Sequence, residues 1–265
     1  MEQKEKIGLF QMVQIAVAKP SNYRQVLNAK KRTIVLFVMF VSFLLLFLGS
    51  IVPMLGFAAS IGGPEHFITE TLPKFQYKDG TFYVEHRIEI DNDGFRLIAD
   101  SDVDKFTKND LKDDSSTELL VAKNNMQVKD AITGQTFALD FSDTGKESFN
   151  NKDLVEMLPL FYMATAIVFA FAYVSGIIGY VLGALVIALF GRSIGKSMKK
   201  EYSYSEIFIF ALMARMTAGI INTMGVAADI SFFHSPIWMF LEFAIIMLYL
   251  YFGIKGPEKL DAIGL

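Results

Sequence analysis

Four apolar stretches, Thr33–Phe57, Leu158–Phe190, Ile207–Val226 and Pro236–Ile254, constrain this chain more than any other feature in it. Each approaches or exceeds the roughly 20 residues that carry a helix across a ~30 Å hydrocarbon layer. Lipid offers the backbone no hydrogen-bonding partner, so such stretches must form helices that satisfy their own N–H and C=O groups. Between the first and second stretches lies a polar region, residues 60–156, that can fold by itself. The predicted fold class is an integral membrane α-helical bundle of four transmembrane helices, with a β-rich α+β extracytoplasmic domain inserted between helices 1 and 2.

Composition supports that division. The chain is 52% hydrophobic and 14% aromatic, above the ~45–50% apolar share of a soluble chain even with glycine counted. It has no cysteine, which excludes disulfides, thiolate metal sites and cysteine nucleophiles. Charge becomes informative when divided by segment. Residues 1–32 carry seven Lys/Arg against two Glu, and the loop 191–206 carries Arg192, Lys196, Lys199 and Lys200. The loop Ala227–Ser235 has no Lys or Arg, and the tail has Lys255 and Lys259. By the positive-inside rule the N-terminus, the 191–206 loop and the C-terminus are cytoplasmic and the large domain is outside. That domain holds eleven basic and twenty acidic side chains, consistent with an outside location without requiring it.

Two alternatives bear on the first two stretches. A cleaved signal peptide ending near Gly56 and Ala58 conflicts with a basic region of ~30 residues and an apolar core above the 7–15 expected. Splitting Leu158–Phe190 at Ser175–Gly179 leaves halves of about 15 residues and moves the Arg192–Lys200 cluster outside. One helix roughly 50 Å long is the better reading, starting above the membrane as a stalk. The expected organisation is a cytoplasmic segment 1–32, spans 33–57, 157–190, 207–226 and 236–254, and a tail 255–265. Ahead of the first span, Ile7–Val17 has a wide apolar face with Gly8, Gln11 and Gln14 in a polar strip. It suits a short helix at the interface or packed on the bundle, ended at Lys19-Pro20 because proline disfavours helix at the preceding residue.

Within 60–156, Thr81–Ile90 alternates with Phe82, Val84, His86, Ile88 and Ile90 on one face, which predicts a strand. Lys78-Asp79-Gly80 before it and Asp91-Asn92-Asp93-Gly94 after it supply turn residues. Further strands are expected at Phe95–Ala99, Glu118–Ala122, Met126–Val128 and Thr136–Phe141, with Val103–Leu111 a short helix or an irregular crossover.

Leu72-Pro73-Lys74-Phe75 followed by Lys78-Asp79-Gly80, the aspartate-ended strand Phe95–Asp100, and Leu119–Val128 resemble the extracytoplasmic domain of an uncharacterised family of bacterial four-span membrane proteins. Some of its members carry the label maltodextrin-utilization membrane protein. The resemblance extends to Lys19-Pro20 and covers most of the chain, with Asp100-Ser101 standing where the family commonly has Asp-Thr. It implies a multi-pass protein of the bacterial cytoplasmic membrane and a link to carbohydrate uptake, and supplies no catalytic residues.

Charged residues at lipid depth are the main site candidates. Arg215 lies near the middle of the third stretch and Glu242 early in the fourth, where a lone charge costs at least ~2.5–3.5 kcal/mol. Arg215, Asn222 and Asp229 recur every seven residues, which predicts with Glu242 a polar seam running outward. It is either a proton or solute path or a structural ion pair; the structural reading is preferred, because transport paths usually carry more ionisable groups and broken helices. Ser175, Gly179 and Gly183 fit the small-xxx-small pattern of a helix contact face, within the bundle or across a homodimer. Phe37, Phe40, Phe43 and Phe47 are expected to pack or face lipid.

Glu89, Asp91, Asp93 and Gly94, with Asp100, fall at ligand positions of a degenerate calcium loop; a solvated acidic turn is the simpler account. His66, His86 and His234 have no metal-ligand spacing, and His234 beside Asp229 is a candidate pH-sensitive contact. No phosphate-binding glycine loop or nucleophile motif occurs, no cofactor is implied, and no basic, aromatic-interleaved surface indicates nucleic acid. The expected partners are the lipid bilayer and a membrane or envelope protein or a second copy. The leading functional expectation is a non-enzymatic accessory or sensor protein whose outer domain binds a partner or ligand. A small transporter using the seam is the alternative, and an enzyme with acidic outer residues a third possibility.

Overall fold

A computed structural model describes residues 7–92, 94–112, 117–130, 133–143 and 148–257. In chain order its helices are α1 (Leu9–Ala18), α2 (Tyr23–Val26), α3 (Lys31–Leu46), α4 (Val52–Ser60), α5 (Pro64–His66), α6 (Asn151–Glu156), α7 (Leu158–Ser197), α8 (Tyr204–Ala227) and α9 (Pro236–Lys255). The chain forms two compact units, a helical one up to Phe57 and from Ala166 onward, and a β-rich one spanning Ala58–Thr165.

Four helical segments are long and apolar enough to cross a membrane: Lys31–Ser60, α7, α8 and α9. The first joins α3 to α4 through a π turn at Phe47–Ile51. Pro53 explains the turn, since it offers no N–H to the Gly49 carbonyl and its ring crowds that carbonyl. Val52 instead donates to Phe47 O, five residues back. The α7 helix runs unbroken through Gly176 and Gly179 for 40 residues. Local capping sets the later starts: Ser203 and Glu206 exchange bonds at the start of α8, and Ser235 accepts from the Trp238 N–H ahead of Pro236.

These helices are apolar on all sides rather than along one stripe, as expected of buried or membrane helices. Phe171 and Phe240 are 71% and 78% exposed. The core of the unit holds Tyr23, Phe37, Phe210, Met213 and Leu250, all fully buried. Of the four phenylalanines early in the first span only Phe37 is buried, and Phe40, Phe43 and Phe47 are exposed. The α1 helix packs on this core through Met12, Ile15 and Ala16. Tyr23 and Tyr249 hydroxyls donate to Ala16 O and Val17 O at its C-terminal end, and a Cβ at Gly253 would collide with the Tyr23 ring.

The β-rich unit has a three-stranded sheet ordered β2-β1-β8 and a five-stranded sheet ordered β3-β4-β5-β6-β7. The first comprises β1 (Phe75–Lys78), β2 (Thr81–Val84) and β8 (Phe149–Asn150). The second comprises β3 (Ile88–Asn92), β4 (Phe95–Asp100), β5 (Thr117–Ala122), β6 (Asn125–Lys129) and β7 (Thr136–Asp140). Lys78 pairs with Thr81 around Asp79 and Gly80, whose φ angles of 51° and 77° suit a tight hairpin that matches strand twist. Phe82, Val84, Ala99 and Phe141 form the small core between the sheets.

The alternation over Thr81–Ile90 does not mark a single strand. It breaks at Glu85–Arg87 into β2 and β3, which belong to different sheets, and His86 is exposed at the bend. Glu85 N–H bonds Lys74 O and Ser101 Oγ donates to Val84 O, so the chain leaves the first sheet there. The β4–β5 pair is parallel and requires a crossover. That crossover over Val103–Leu111 is irregular with one 3₁₀ turn at Lys108–Asp110. Side chains hold it in place of a backbone ladder: Asn125 and Gln127 both donate to Phe106 O, and Asn125 Oδ1 accepts the Phe106 N–H.

Candidate functional site

Arg215 lies on α8, a helix with eight buried residues between Ile207 and Ala218, so its guanidinium must find polar partners inside the helical unit. Those partners are backbone. Arg215 donates to Tyr180 O and, at 3.4 Å, to Gly179 O on α7, and its guanidinium lies 4.8 Å from the Tyr180 ring centroid. Carbonyl oxygens within a helix keep a second lone pair for such a donor, and the ring face adds a cation–π attraction. The bond is reciprocated: the buried Tyr180 hydroxyl donates to Leu212 O at 2.5 Å. One turn further along, the Tyr204 hydroxyl donates to Leu185 O at 3.0 Å.

Glycine admits this arrangement. A Cβ at Gly183 would stand 2.5 Å from the Arg215 guanidinium carbon. The absent side chain uncovers the carbonyls three and four residues earlier on α7, the two that Arg215 reaches. Two features read separately in the sequence therefore meet, and the small residue receives a cation rather than a second helix backbone. Gly179 contributes its carbonyl, and a Cβ there would meet nothing within 4 Å. Ser175 is exposed on α7 and takes no part.

The rest of the polar seam separates into independent contacts. Among the described residues no ion pair joins Arg215 to Glu242, which is half-buried on α9. Asn222 Oδ1 accepts the Trp238 indole N–H at 2.7 Å, tying α8 to α9. Asp229 lies beyond the α8 end, with φ 51° and a side chain 99% exposed, 3.6 Å from His234 Nε2. Seven-residue spacing puts residues on one face only while the helix lasts, and α8 stops at Ala227.

The calcium reading fares differently. Glu89 pairs with Arg87 at 2.9 Å, Asp91 with Lys112 at 2.7 Å, and Asp100 approaches Arg87 at 3.7 Å. Asp91 faces Arg96 in the β3–β4 register, four residues from Asp100 and so roughly 13 Å along the strand. The hairpin therefore spreads these carboxylates and gives each a cationic neighbour; Asp93 lies outside the described residues. No group of three or more His, Asp or Glu that could hold a metal ion occurs among the described residues.

A buried charge that sequence reasoning missed is Glu118, whose side chain is 0% exposed. Its carboxylate accepts from Arg96 at 2.8 Å, from the Lys112 backbone N–H at 2.7 Å and from Lys129 at 3.5 Å. Arg96 also donates to Asp110 O at 3.2 Å, linking the crossover to the sheet. The signal was a lone glutamate in an otherwise apolar strand, Glu118–Ala122. At the far end of the crossover Asp140 binds Lys105 and the Ser142 N–H and hydroxyl, which hold its carboxyl down at about 2.

The family model described as protein of unknown function (DUF1189) matches residues 10–254. No curated protein and no solved structure matches the chain.

Proposed function

Because the chain belongs to the DUF1189 family, whose function is unknown, we propose its role from its own physical chemistry: a non-enzymatic membrane accessory or sensor protein. The observation that carries this reading is the contrast in solvation between the units. Four long helices keep large apolar side chains on their outer surface, where water would oppose them and lipid would not. The β-rich unit has a core of its own and pairs its buried charge as a water-soluble domain does. In this reading the helical unit anchors the protein in a bacterial cytoplasmic membrane, and the β-rich unit lies outside and binds a partner or ligand. Both termini lie inside, as the basic residues around 1–32 and 191–206 favour. The committed hydrogen bonds of Arg215 and the unbroken α7 and α8 helices weigh against a small transporter built on the polar seam.

The absence of cysteine makes topology directly testable. Lys108→Cys in the β-rich unit is expected to react with a membrane-impermeant maleimide in intact cells, and Ser197→Cys only after permeabilisation. The reverse pattern overturns the orientation. The accessory role is tested by cross-linking in the native membrane, purification and mass spectrometry. A stoichiometric membrane or envelope protein, such as a carbohydrate-uptake subunit, supports it, whereas a chain recovered alone removes the accessory role and leaves the ligand sensor.

A further inference from the structure

Three adjoining cavities lie at one end of the helical unit, where α7 ends, α8 begins and α9 ends. The largest, about 600 Å³, is lined by Arg24, Lys200 and Lys255 together with Asn22, Gln25 and Asn28. A second of about 360 Å³ shares Lys200 and Tyr202 with it and adds Arg192, Lys196 and Glu201. A third of about 370 Å³ shares Asn22, Gln25 and Asn28 and continues into Gln11 and Gln14. Among the described residues the three cavities are lined by six cationic side chains, Lys19, Arg24, Arg192, Lys196, Lys200 and Lys255, and by the carboxylate of Glu201, beside a row of amides.

Arg24, Gln25, Asn28, Arg192, Lys196 and Lys200 are solvent-exposed on this concave surface and so open to a ligand. Arg24, Arg192, Lys196 and Lys200 form no ion pair with an acidic side chain among the described residues. The side chains of Gln14, Asn22, Gln25 and Asn28 likewise make no hydrogen bond there, although all four line concave surface. The turn that presents Lys200 is the C-terminal cap of α7: Lys199 takes φ 55°, and Lys200 N–H bonds Gly195 O at 2.9 Å. A side chain in left-handed backbone is unfavourable without local compensation. The buried Tyr23 and Val26 anchor α2, which carries Arg24 and Gln25, in the core.

We propose that this end of the helical unit binds a phosphate group carried on a hydroxylated substituent, with Arg24 and Lys200 holding the phosphate and the amides of Asn22, Gln25 and Asn28 meeting the hydroxyls. Arginine and lysine supply the charged donors that phosphate oxygens accept, and carboxamides both donate to and accept from hydroxyl groups. Two sources carry this chemistry: the headgroup of an anionic glycerophospholipid, for which basic pockets between membrane helices are suited, and a soluble phosphate ester.

The test uses the full-length protein in phosphatidylcholine nanodiscs. Binding is measured for phosphatidylglycerol, added to the nanodisc and counted by native mass spectrometry, and for glycerol 3-phosphate in solution. Saturable binding of the lipid alone identifies a headgroup site, and binding of the soluble ester identifies a solute site; both support the proposal. In the double variant Arg24→Ala/Lys200→Ala the dissociation constant should rise about thirtyfold, roughly fivefold per cation. Arg24→Lys/Lys200→Arg should stay within about threefold of the original, and Lys108→Ala/Lys123→Ala in the β-rich unit should change nothing. If the double alanine variant does not purify folded, Lys200→Gln at its exposed turn carries the test with about a fivefold loss. No binding of either probe, an unchanged constant in the Arg24/Lys200 variants, or an equal loss in the Lys108/Lys123 control overturns the proposal.

Discussion

The two units of this protein each hold an ionised side chain away from bulk water, and they do so by different means. In the β-rich unit Glu118 meets two cations and a backbone N–H. In the helical unit Arg215 has no carboxylate in contact among the described residues and is held by two carbonyls and an aromatic face. The strand can exchange bonds with a charged neighbour because adjacent strands present side chains to each other at every second residue. A helix as apolar as α7 has few charges to offer, so its backbone dipoles and a glycine gap take their place. Charge compensation at Glu118 is ionic and local; at Arg215 it depends on how α7 and α8 face each other.

The largest way to break this comparison is Glu118→Leu. It leaves Arg96 and Lys129, only 16% and 12% exposed, without their shared counter-charge, and about 3–5 kcal/mol of stability should be lost. Rapid proteolysis within residues 58–165 reads the effect, and an unchanged cleavage rate sinks the ionic account. Arg215→Leu removes charged hydrogen bonds without stranding an opposite charge, so a smaller loss of about 1–3 kcal/mol is expected. Thermal unfolding in mild detergent measures it.

Gly183→Ala sharpens the argument, since it intrudes on the guanidinium and should cost about 1–3 kcal/mol. In an Arg215→Leu background the cost of that alanine should fall below ~0.5 kcal/mol; equal costs in both backgrounds mean that Gly183 does not serve Arg215. Glu242→Leu should change stability by less than ~1 kcal/mol, and the double change with Arg215→Leu should not restore it, because no ion pair joins the two. A rescue by the double change reinstates the ion pair.

The smallest effect concerns acid. Asp140, held at about 2 by Lys105 and Ser142 against an ordinary 3.8, has a folded value below its unfolded one. Its contribution is present in full above about pH 4 and is lost as pH falls through about 2. Asp140→Asn should flatten the stability profile between those limits and leave it unchanged near neutrality. A flat profile in the unaltered protein contradicts the assignment.

Legibility in the sequence tracked the range of the interaction. Four helices were legible because twenty apolar residues in a row need no tertiary information. The Asp79-Gly80 hairpin was legible because its chemistry is confined to two residues. Over Thr81–Ile90 the period of two continued across a bend, because Ile88 and Ile90 happen to keep the phase of Phe82 and Val84 while joining another sheet. The strands β1 and β8 carried too few residues to announce themselves, and β8 pairs with β1 from more than seventy positions away. At the candidate site the identity of Arg215 and Gly183 was legible and their meeting was not.

By itself the sequence determined that four helices are long and apolar enough to cross a membrane and that the segment between the first two is polar. That follows from transfer free energy, a sum over residues indifferent to their arrangement. Only the tertiary structure decided which groups compensate Arg215 and Glu118, that Asp229 falls off the end of α8, and that Arg24 and Lys200 share a cavity. Those outcomes depend on distances between residues far apart in the chain. An interaction between two charges or dipoles is set by their separation and surroundings, and composition and periodicity leave both open.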